Sequence, residues 1–425
     1  MLVQKYGGSS LATAEQLNAV ADRVSASHRS GRPSVVVVSA RGTTTDDLLR
    51  LAGTCHPHPP ANRELDQLLA TGETASAALL ALALQARGVP ATALSGAQTG
   101  ILATGRHGSG VIAAVDTERT RALLDAGSVV VMAGFQGVDA AGDVITLGRG
   151  GSDTTAVAVA SELGAGHCDI YTDVDGVYTA DPRIVPDARV LTDLRMTVLA
   201  EMALAGARVM HSRAVELAAI TGVDIRVRHS GRSLGGTVAH AERGGEPYTT
   251  VRGDGGMVEA RGSVAAVVHD TDTVRVSVRL EAAEGAAAAE VFRFLARESI
   301  VADMTALSEE ADGRLAVAMT VSEADVPAVS DWFSAHTHGS PELDRTVGKV
   351  SVIGTGLLGK PQLAARTLDS LAAAGIPASS VATSQLRISI TVARHQVVRA
   401  VQVLHSEFGL ESDDRPADDE SPVPA

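Results

Sequence analysis

Residues 1–240 alternate between short, continuously apolar segments and longer segments with helical spacing, which constrains the fold more than any other feature. SVVVVSA (34–40) and SVVVMAGF (128–135) are bounded by polar or glycine-rich residues, which predicts strands buried on both faces. ATAEQLNAVADRVSAS and DTERTRALLDAG have the spacing of amphipathic helices. The alternation predicts an α/β fold, in which helices cover a mostly parallel sheet.

The composition of the chain changes near residue 240, and beyond that point one order of predicted strands and helices occurs twice. The glycine-rich, polar stretch around residues 241–262 is interpreted as a linker. Beyond it, TVRVSVRL and AAAAEVFRFLARESI predict a strand and a helix, and GKVSVIG and PQLAARTLDSLAAAGI repeat that order. Further alternating strands follow each pair, GRLAVAMTV and LRISITVA, each with a last helix. Two tandem βαββαβ units are therefore predicted at 263–345 and 346–411, with pairing of a strand near 262–269 to the second unit as an alternative.

Charge and composition narrow the classes of function. The chain has 36 basic and 50 acidic residues, a formal charge of −14, which argues against binding to nucleic acid or to an anionic membrane. Part of the excess lies in the tail at 412–425, which is expected to be disordered. Two cysteines, Cys55 and Cys168, imply no disulfide framework. The start of the chain lacks the pattern of a signal peptide, and ASAALLALAL (75–84) is too short to span a bilayer, so we expect a cytoplasmic protein.

Glycines and charged side chains follow two of the predicted strands, an arrangement that favours the binding of an anion. KYGGSS (5–10) follows an apolar opening, and TLGRGGSDTTAVAVASELGA (146–165) joins a strand to a helix that starts near Thr154. Glycines let a backbone approach a ligand, and a helix N-terminus presents free amides. Arg149 has the geometry to bind a carboxylate or phosphate through two hydrogen bonds. Asp153 stands where a helix cap would stand, and capping alone is the alternative.

Three further segments add polar groups at strand ends. DIYTDVDGVYTADPRIV (169–185) places Asp173 just after a strand, and its tyrosine and arginine suit a nucleotide, although an ordinary turn-rich connection is the alternative. In VSARGTTTDDLL (38–49), a predicted buried strand is followed by a polar loop that is rich in hydroxyl groups. Glu73 begins a buried helix, where it either caps or holds a substrate ammonium group. Ligands of open α/β sheets bind at the carboxyl ends of the strands, so these segments predict one shared site.

KYGGSS, VSARGTTTDDLL, GET, GFQG, TLGRGGSDTTA and YTDVDGVYTADPRIV occur in that order. Together they closely resemble the aspartate kinase branch of the amino-acid kinase family over residues 1–230. The paired C-terminal units resemble that family's ACT domains. The resemblance implies an amino-acid-kinase-like three-layer sandwich at 1–240, followed by two ferredoxin-like ACT units. It also implies ATP-dependent phosphorylation of L-aspartate, with Mg²⁺, as the first step toward lysine, threonine and methionine.

The resemblance assigns a role to each matching residue. Lys5 is expected to reach the transferred phosphoryl group, and Asp153 to organise the transfer site. The expected nucleotide-binding residues are Lys5, Gly7, Gly8, Ser9, Ser39, Thr172, Asp173, Tyr178, Arg183 and Arg208. The expected aspartate-binding residues are Thr45, Glu73, Arg149, Gly150, Gly151 and Ser152. Arg149 would bind the α-carboxylate and Glu73 the ammonium group. No general base is needed, because the aspartate side chain is already ionised at pH 7, and no metal-ligating residue is predicted.

Two positions depart from the pattern of the catalytic region. Arg208 stands in GARV, where the family usually has lysine, and Thr74 replaces the usual arginine after the substrate glutamate. Arginine keeps the charge of lysine but changes its reach and geometry. We expect altered rates or affinities rather than an inactive enzyme.

The ACT-like units depart further, at positions where the family binds lysine or threonine. An alanine stands at the usual aspartate, VAD and PAS replace NID segments, and a glutamine replaces a glutamate. A zwitterion needs a partner for each buried charge, so we expect weakened or altered feedback control. The effector-site positions are Ala283, Val301, Asp303, Pro377, Ser379 and Gln385.

Two other segments resemble ligand sites but are not predicted to be such. GTGLLGKP (354–361) fits a glycine-rich nucleotide pattern, but Pro361 stands where a Mg²⁺-binding hydroxyl belongs. CHPHPP (55–60) offers a thiol and two imidazoles without a spaced second pair of ligands.

An aspartate kinase is therefore the leading hypothesis for the function. The alternatives are a kinase for another small amino or carboxylic acid and a non-catalytic effector-binding subunit. Glu73 and Arg149 argue against the first, and intact Lys5, Arg149 and Asp153 argue against the second. The expected partners are L-aspartate, ATP and further copies of the chain bound through the ACT units. A small subunit initiated internally at Met257 is an additional possibility, by analogy with related enzymes.

Overall fold

The computed structural model of the protein describes residues 1–56, 61–207, 209–231, 248–253, 263–280, 286–310, 314–336 and 341–412. The chain divides into two units by its contacts. The first unit comprises Met1–Val177, Val190–Leu204 and Arg208–Gly256, and the second comprises Tyr178–Arg189, Ala205–Ala207 and Met257–Ala425. The predicted linker lies mostly outside the described residues, as do the acidic tail and Met257.

The described strands of the first unit form a large sheet and a small one. In chain order they are β1 (Leu2–Tyr6), β2 (Ser34–Val38), β3 (Ala91–Leu94), β4 (Ile101–Thr104), β5 (Val111–Val115), β6 (Val129–Ala133), β7 (Gln136–Val138), β8 (Val144–Thr146), β9 (His167–Thr172), β10 (Asp193–Arg195), β11 (Asp224–His229) and β12 (Thr249–Arg252). The large sheet has the order β10-β12-β11-β9-β1-β2-β6-β3. Its neighbours are parallel except for β11 and β12. The predicted mostly parallel α/β sheet is confirmed.

Helices cover this sheet, and alternate residues of β1 point to opposite faces. The described helices are α1 (Ala14–Arg29), α2 (Thr44–Cys55), α3 (Arg63–Gln85), α4 (Glu118–Asp125), α5 (Gly151–Leu163), α6 (Met196–Ala205) and α7 (Ser212–Thr221). Tyr6 packs with apolar residues of α1 and α3, among them Val20 and Leu80. Lys5, one residue earlier, contacts α5 on the other face.

The apolar run near residue 80 belongs to a longer helix than its sequence indicates. α3 has 23 residues and an apolar window with a mean hydropathy of 1.3, so it has the length and composition of a membrane span. Half of that window is buried inside the protein, and Leu80 and Leu84 belong to the core beneath the large sheet. The helix therefore uses its apolar residues to cover the sheet.

The small sheet, of order β5-β4-β7-β8, lies before α5 in the chain. Its four strands have three to five residues each. Strands this short show too few alternations for periodicity to reveal them, and the sequence did not predict them. β8 ends at Thr146, directly before the glycine-rich turn that leads into α5.

The described part of the second unit holds two four-stranded antiparallel sheets with helices. The elements are β13 (Ser263–Asp270), β14 (Thr273–Leu280), α8 (Ala286–Glu298), β15 (Asp303–Glu309), β16 (Leu315–Ser322), α9 (Val326–His336), β17 (Glu342–Asp344), β18 (Val347–Thr355), α10 (Pro361–Ala373), β19 (Ser380–Thr383), β20 (Arg387–Ala393) and α11 (Val397–Glu407). The sheet orders are β15-β16-β14-β17 and β13-β18-β20-β19. β14 to β17 follow the predicted βαββαβ order, whereas the second sheet takes its fourth strand, β13, from before the first repeat.

Residues 178–189 belong to the second unit, although the sequence assigned them to the region 1–240. The Thr179 hydroxyl lies 2.9 Å from Nε2 of His405, and the Thr179 carbonyl accepts a 2.8 Å hydrogen bond from the N–H of Val267. Arg189 donates to the carbonyl of Leu410. This segment is therefore tied to β13 and α11.

Candidate active site

The carboxyl ends of four parallel strands lie side by side at one edge of the large sheet. The register aligns Tyr6, Val38 and Ala133, the last residues of β1, β2 and β6, with Tyr171 of β9, so the residues that follow these four are also neighbours. The N–H of Ser39 donates to the carbonyl of Tyr6 at 3.1 Å, and the N–H of Gly7 donates to Tyr171 at 3.3 Å. The residues brought together in this way are Gly7, Ser39, Gly134 and Thr172.

An ion pair stands at the centre of this edge. Nζ of Lys5, on β1, lies 2.5 Å from Oδ1 of Asp153, in the first turn of α5, and the two side chains are only 12% and 11% exposed. α5 begins after Gly150, whose φ of 72° is readily adopted only by glycine. The first N–H groups of a helix lack intrahelical partners. The site therefore combines a fixed cation, a carboxylate and a helix N-terminus.

Glycine is required where the loops at this edge approach each other. A Cβ on Gly8 would lie 2.6 Å from the carbonyl oxygen of Ala40, and Gly42 donates a hydrogen bond to the carbonyl of Gly8. A Cβ on Gly134 would lie 2.8 Å from Oγ of Ser152. The loops after β1 and β2 are thus in direct contact, with Ser9 exposed beside them.

Glu73 places a buried carboxylate next to the loop after β2. The residue is 3% exposed, and its Oε1 accepts a 2.9 Å hydrogen bond from the N–H of Ala40. Oε2 is also buried and has no hydrogen-bond partner among the described residues. Burial raises the pKa of Glu73 to about 7, an effect that the N–H of Ala40 partly opposes. A cationic group would satisfy this oxygen and favour the ionised carboxylate.

The remaining predicted aspartate-binding residues lie in or next to the turn before α5, except for Thr45, which lies in the first turn of α2. Ser152 is buried against Gly134, whereas the side chain of Arg149 is exposed. Gly151 packs closely against Phe135 in the GFQG segment, and Phe135 itself has a left-handed φ of 69°. Thr45 is half-buried in the first turn of α2.

His211 also belongs to this region, although sequence reasoning missed it. A Cβ on Gly150 would lie 2.1 Å from the Cβ of His211, which caps the N-terminus of α7. Burial lowers the pKa of His211, and the negative charge of Asp153 opposes that shift. The segment HSRA does not distinguish this histidine from an ordinary helix N-cap residue, so its proximity to Gly150 and Asp153 could not be predicted from the sequence.

The predicted nucleotide-binding residues divide between the two units. Thr172 ends β9, and its hydroxyl donates a 3.1 Å hydrogen bond to the exposed Asp173 in the first unit. Tyr178 and Arg183 belong to the second unit. There Arg183 pairs through two nitrogens with Asp181, and its hydrogen bonds lower the pKa of that carboxyl group.

Arg208 lies outside the described residues. Among those that are described, no three histidine, cysteine, aspartate or glutamate side chains come together to hold a metal ion.

The predicted effector residues lie in the second unit. Val301 is 70% exposed, and the hydroxyl of Ser379 bonds to Thr391. The backbone carbonyl of Gln385 accepts a hydrogen bond from Leu357. Ala283 lies outside the described residues, and Pro377 is exposed after α10.

Asp303 is already bound to two cations of the same chain. Its carboxylate lies 2.8 Å from Nζ of Lys349 and 2.8 Å from Nη2 of Arg387. Burial alone would raise the pKa of Asp303, but the two cations outweigh burial and hold the pKa below its ordinary value. Lys349 is 4% exposed, so the arrangement is largely internal.

Comparisons with known proteins agree with this architecture. Residues 1–229 match the amino acid kinase family, and residues 350–408 match an ACT domain. Aspartokinases of Mycolicibacterium smegmatis and Mycobacterium bovis are 42% and 41% identical over 421 and 422 residues, which cover 97% of this chain and 97% of each relative. The crystal structure of E. coli aspartokinase III in complex with aspartate and ADP has the same fold, with a TM-score of 0.78 at 22% identity. The match covers 96% of this chain and 100% of the other.

Proposed function

The chain belongs to the amino acid kinase family and, within it, to the aspartokinases, and we propose that it transfers the terminal phosphoryl group of ATP to the side-chain carboxylate of L-aspartate. The product is 4-phospho-L-aspartate. One observation supports an amino-acid substrate above all: Glu73 is buried beside the loop after β2, and one of its oxygens has no partner in the part of the chain that the structure describes. A substrate ammonium group would supply that partner.

Lys5 is the proposed electrostatic catalyst. The nucleophile needs no general base, because a carboxylate of aspartate is already ionised at pH 7. The chemical difficulty is the approach of two anions, and preorganised positive charge lowers that barrier. The pairing with Asp153 holds the Lys5 ammonium group at the start of α5, so its position is set before the substrates bind.

Substrate orientation is assigned to groups on two different elements. Glu73 on α3 would accept the ammonium group, and Arg149 in the turn before α5 would bind the α-carboxylate through two hydrogen bonds. With both ends of the amino acid held, the side-chain carboxylate is left free to attack. Ser152, Gly150 and Gly151 would complete the aspartate site, with Thr45 at the start of α2.

ATP is proposed to enter as its Mg²⁺ complex. Phosphate oxygens and water are the expected ligands of this ion, as is usual for Mg²⁺ bound with a nucleotide. Bound Mg²⁺ would neutralise phosphate charge. Gly7, Gly8 and Ser9 would lie along the phosphates, and Ser39, Thr172 and Asp173 would line the rest of the nucleotide site.

Measurement of ADP release with a panel of acceptors tests this function. L-Aspartate should support turnover, whereas N-acetyl-L-aspartate and succinate should not, because both lack the ammonium group that Glu73 binds. L-Glutamate, which is one methylene longer, should be a poor acceptor. Equal rates with aspartate and succinate would contradict the role of Glu73 and favour a kinase for another acid.

Self-association through the second unit is also proposed. β15 is an edge strand of its sheet and β19 is an edge strand of the other, and they expose Leu307 and Val381 at 49% and 44%. Exposed apolar edge strands favour pairing with another chain. Sedimentation equilibrium of the wild type and of Leu307→Lys/Val381→Lys should show an oligomer that the substitutions dissociate.

A further inference from the structure

Asp66, in the first turn of α3, is a completely buried carboxylate that joins two loops. The N–H and the hydroxyl of Thr146 donate to its two oxygens at 2.8 and 2.6 Å. The N–H of Gly108 donates to both oxygens at 3.0 and 3.1 Å, and Nδ1 of His107 lies 2.9 Å from Oδ2. A buried carboxylate is tolerated when donors surround it in this way.

The same two loops are also joined directly and by a cation. The N–H of Gly110 donates to the carbonyl of Thr146 at 2.9 Å. Arg213 of α7 donates to the carbonyls of Leu147 and Gly110 at 2.7 and 2.6 Å. A Cβ on Gly148 would lie 2.9 Å from the carbonyl of Gly108, so the two backbones are in contact. These contacts end one residue before Arg149.

The position of Asp66 on its helix relates this junction to Glu73. The two acidic residues are seven positions apart on α3, which is about two helical turns, so both side chains lie on nearly the same face. One end of the helix thus holds the loop that leads to Arg149. Glu73, near the middle of the helix rather than at its start as the sequence indicated, carries the carboxylate assigned to the substrate ammonium group.

We propose that Asp66 is a positioning residue of the aspartate site. By holding Thr146 and the loop at residues 107–110, it fixes the turn that bears Arg149 relative to Glu73. The separation of the two substrate-binding charges is then set by α3, before aspartate binds. Asp66 touches neither substrate, and this role rests on the proposed function.

Steady-state kinetics of Asp66→Asn test the proposal. Asparagine keeps the shape but loses the charge, and its NH₂ group would face the N–H donors of Gly108 and Thr146. We expect KM for aspartate to rise about tenfold or more, because a charge-assisted hold on the turn is lost, while KM for ATP stays within about twofold. The melting temperature is measured alongside.

Two further variants provide a second test of the proposal and a control for loss of stability. Thr146→Val removes one hydroxyl donor and keeps the backbone N–H, and should raise KM for aspartate about threefold to tenfold. If Asp66→Asn does not fold, Thr146→Val decides the question alone. Asp169→Asn is the matched control: Asp169 is 5% exposed on β9 and paired with Arg228. It should lower the melting temperature without a selective change in KM for aspartate.

The possible outcomes separate the two claims. A selective rise in KM for aspartate in Asp66→Asn or Thr146→Val, absent from Asp169→Asn, supports the positioning role. Unchanged or equally raised KM values in an active enzyme, or the same selective rise in the control, overturn it and leave the proposed function standing. Wild-type enzyme without aspartate-dependent turnover contradicts the proposed function, and the positioning role falls with it.

Discussion

The ion pair of Lys5 and Asp153 is the residue-scale feature on which the chemistry depends. Lys5→Ala should leave the fold intact and lower kcat roughly a hundredfold or more, because the proposed role of Lys5 lies mainly in the transition state. Lys5→Arg should be nearly as poor, because the planar guanidinium displaces the charge. Single-turnover rates at saturating substrates measure this effect. A near wild-type kcat in Lys5→Ala would remove Lys5 from the mechanism.

Arg149 provides a test of substrate assignment. Arg149→Ala should raise KM for aspartate far more than KM for ATP, because it loses a charge-assisted contact with the α-carboxylate. The two KM values are compared in one set of initial-rate measurements. A rise confined to ATP, or equal rises for both substrates, would mean that this arginine serves the nucleotide.

Glu73 predicts how activity depends on pH. With a pKa of about 7 in the free enzyme, Glu73 becomes protonated as the pH falls, and only its ionised form attracts an ammonium group. kcat/KM for aspartate should therefore rise about tenfold per pH unit below about 7 and level off above it.

Glu73→Gln is the control for that profile. It should raise KM for aspartate and abolish the acidic limb, since glutamine does not titrate. A flat wild-type profile between about pH 5.5 and 8, or an unchanged limb in the variant, would assign the titration elsewhere.

At the scale of elements, the start of α5 can be compared with its end. Gly150 and Gly164 flank the helix with φ of 72° and 71°. A Cβ on Gly150 would meet the Cβ of His211 at 2.1 Å, whereas a Cβ on Gly164 would meet no described residue within 4 Å. Gly164→Ala should cost about 1 kcal/mol of stability through backbone strain and leave kcat/KM unchanged.

Gly150→Ala should destabilise the protein further and lower kcat/KM for aspartate at least about tenfold, because the turn with Arg149 must move away from His211. Thermal unfolding and initial rates of both variants measure the contrast. Equal activity in the two would show that the start of α5 tolerates displacement.

The elements that sequence could predict are those whose pattern reflects their burial. β2 and β6 are buried on both faces, so their continuous valine runs predicted them. The glycines of KYGGSS and GRGGSD were predicted to let the backbone approach a ligand. That Gly8 and Gly150 lie where a Cβ would meet Ala40 and His211 is seen only in the structure. The small sheet that ends at Thr146 was not predicted, because its strands are too short to show an alternation of apolar and polar residues. Asp66 was not predicted for a different reason: its partners lie 41 to 80 residues away, and two of the four are backbone N–H groups, which leave no residue pattern.

At the scale of the whole molecule, regulation is the property in which this chain should differ most from its relatives. We expect weak or absent inhibition by lysine and threonine. Asp303 is occupied by Lys349 and Arg387, and Ala283 replaces the aspartate usual in the family. An unpaired buried ammonium group costs about 3–5 kcal/mol, more than a hundredfold in affinity.

Assays with lysine and threonine, alone and together, measure this directly. Strong inhibition at sub-millimolar concentrations would contradict the expectation. Calorimetric binding of either amino acid without inhibition would show that the sites persist and that only their coupling to catalysis is lost.

The proposed reaction of this chain is the phosphorylation of the side chain of aspartate. Hydroxylamine added to the reaction with ATP, Mg²⁺ and L-aspartate traps the acyl phosphate, and mass spectrometry and NMR identify the trapped product. We expect aspartate β-hydroxamate, formed in proportion to ADP and roughly a hundredfold or more slowly with Lys5→Ala. ADP release without any aspartyl hydroxamate, or a hydroxamate at the α-carboxyl group, would contradict the proposed reaction.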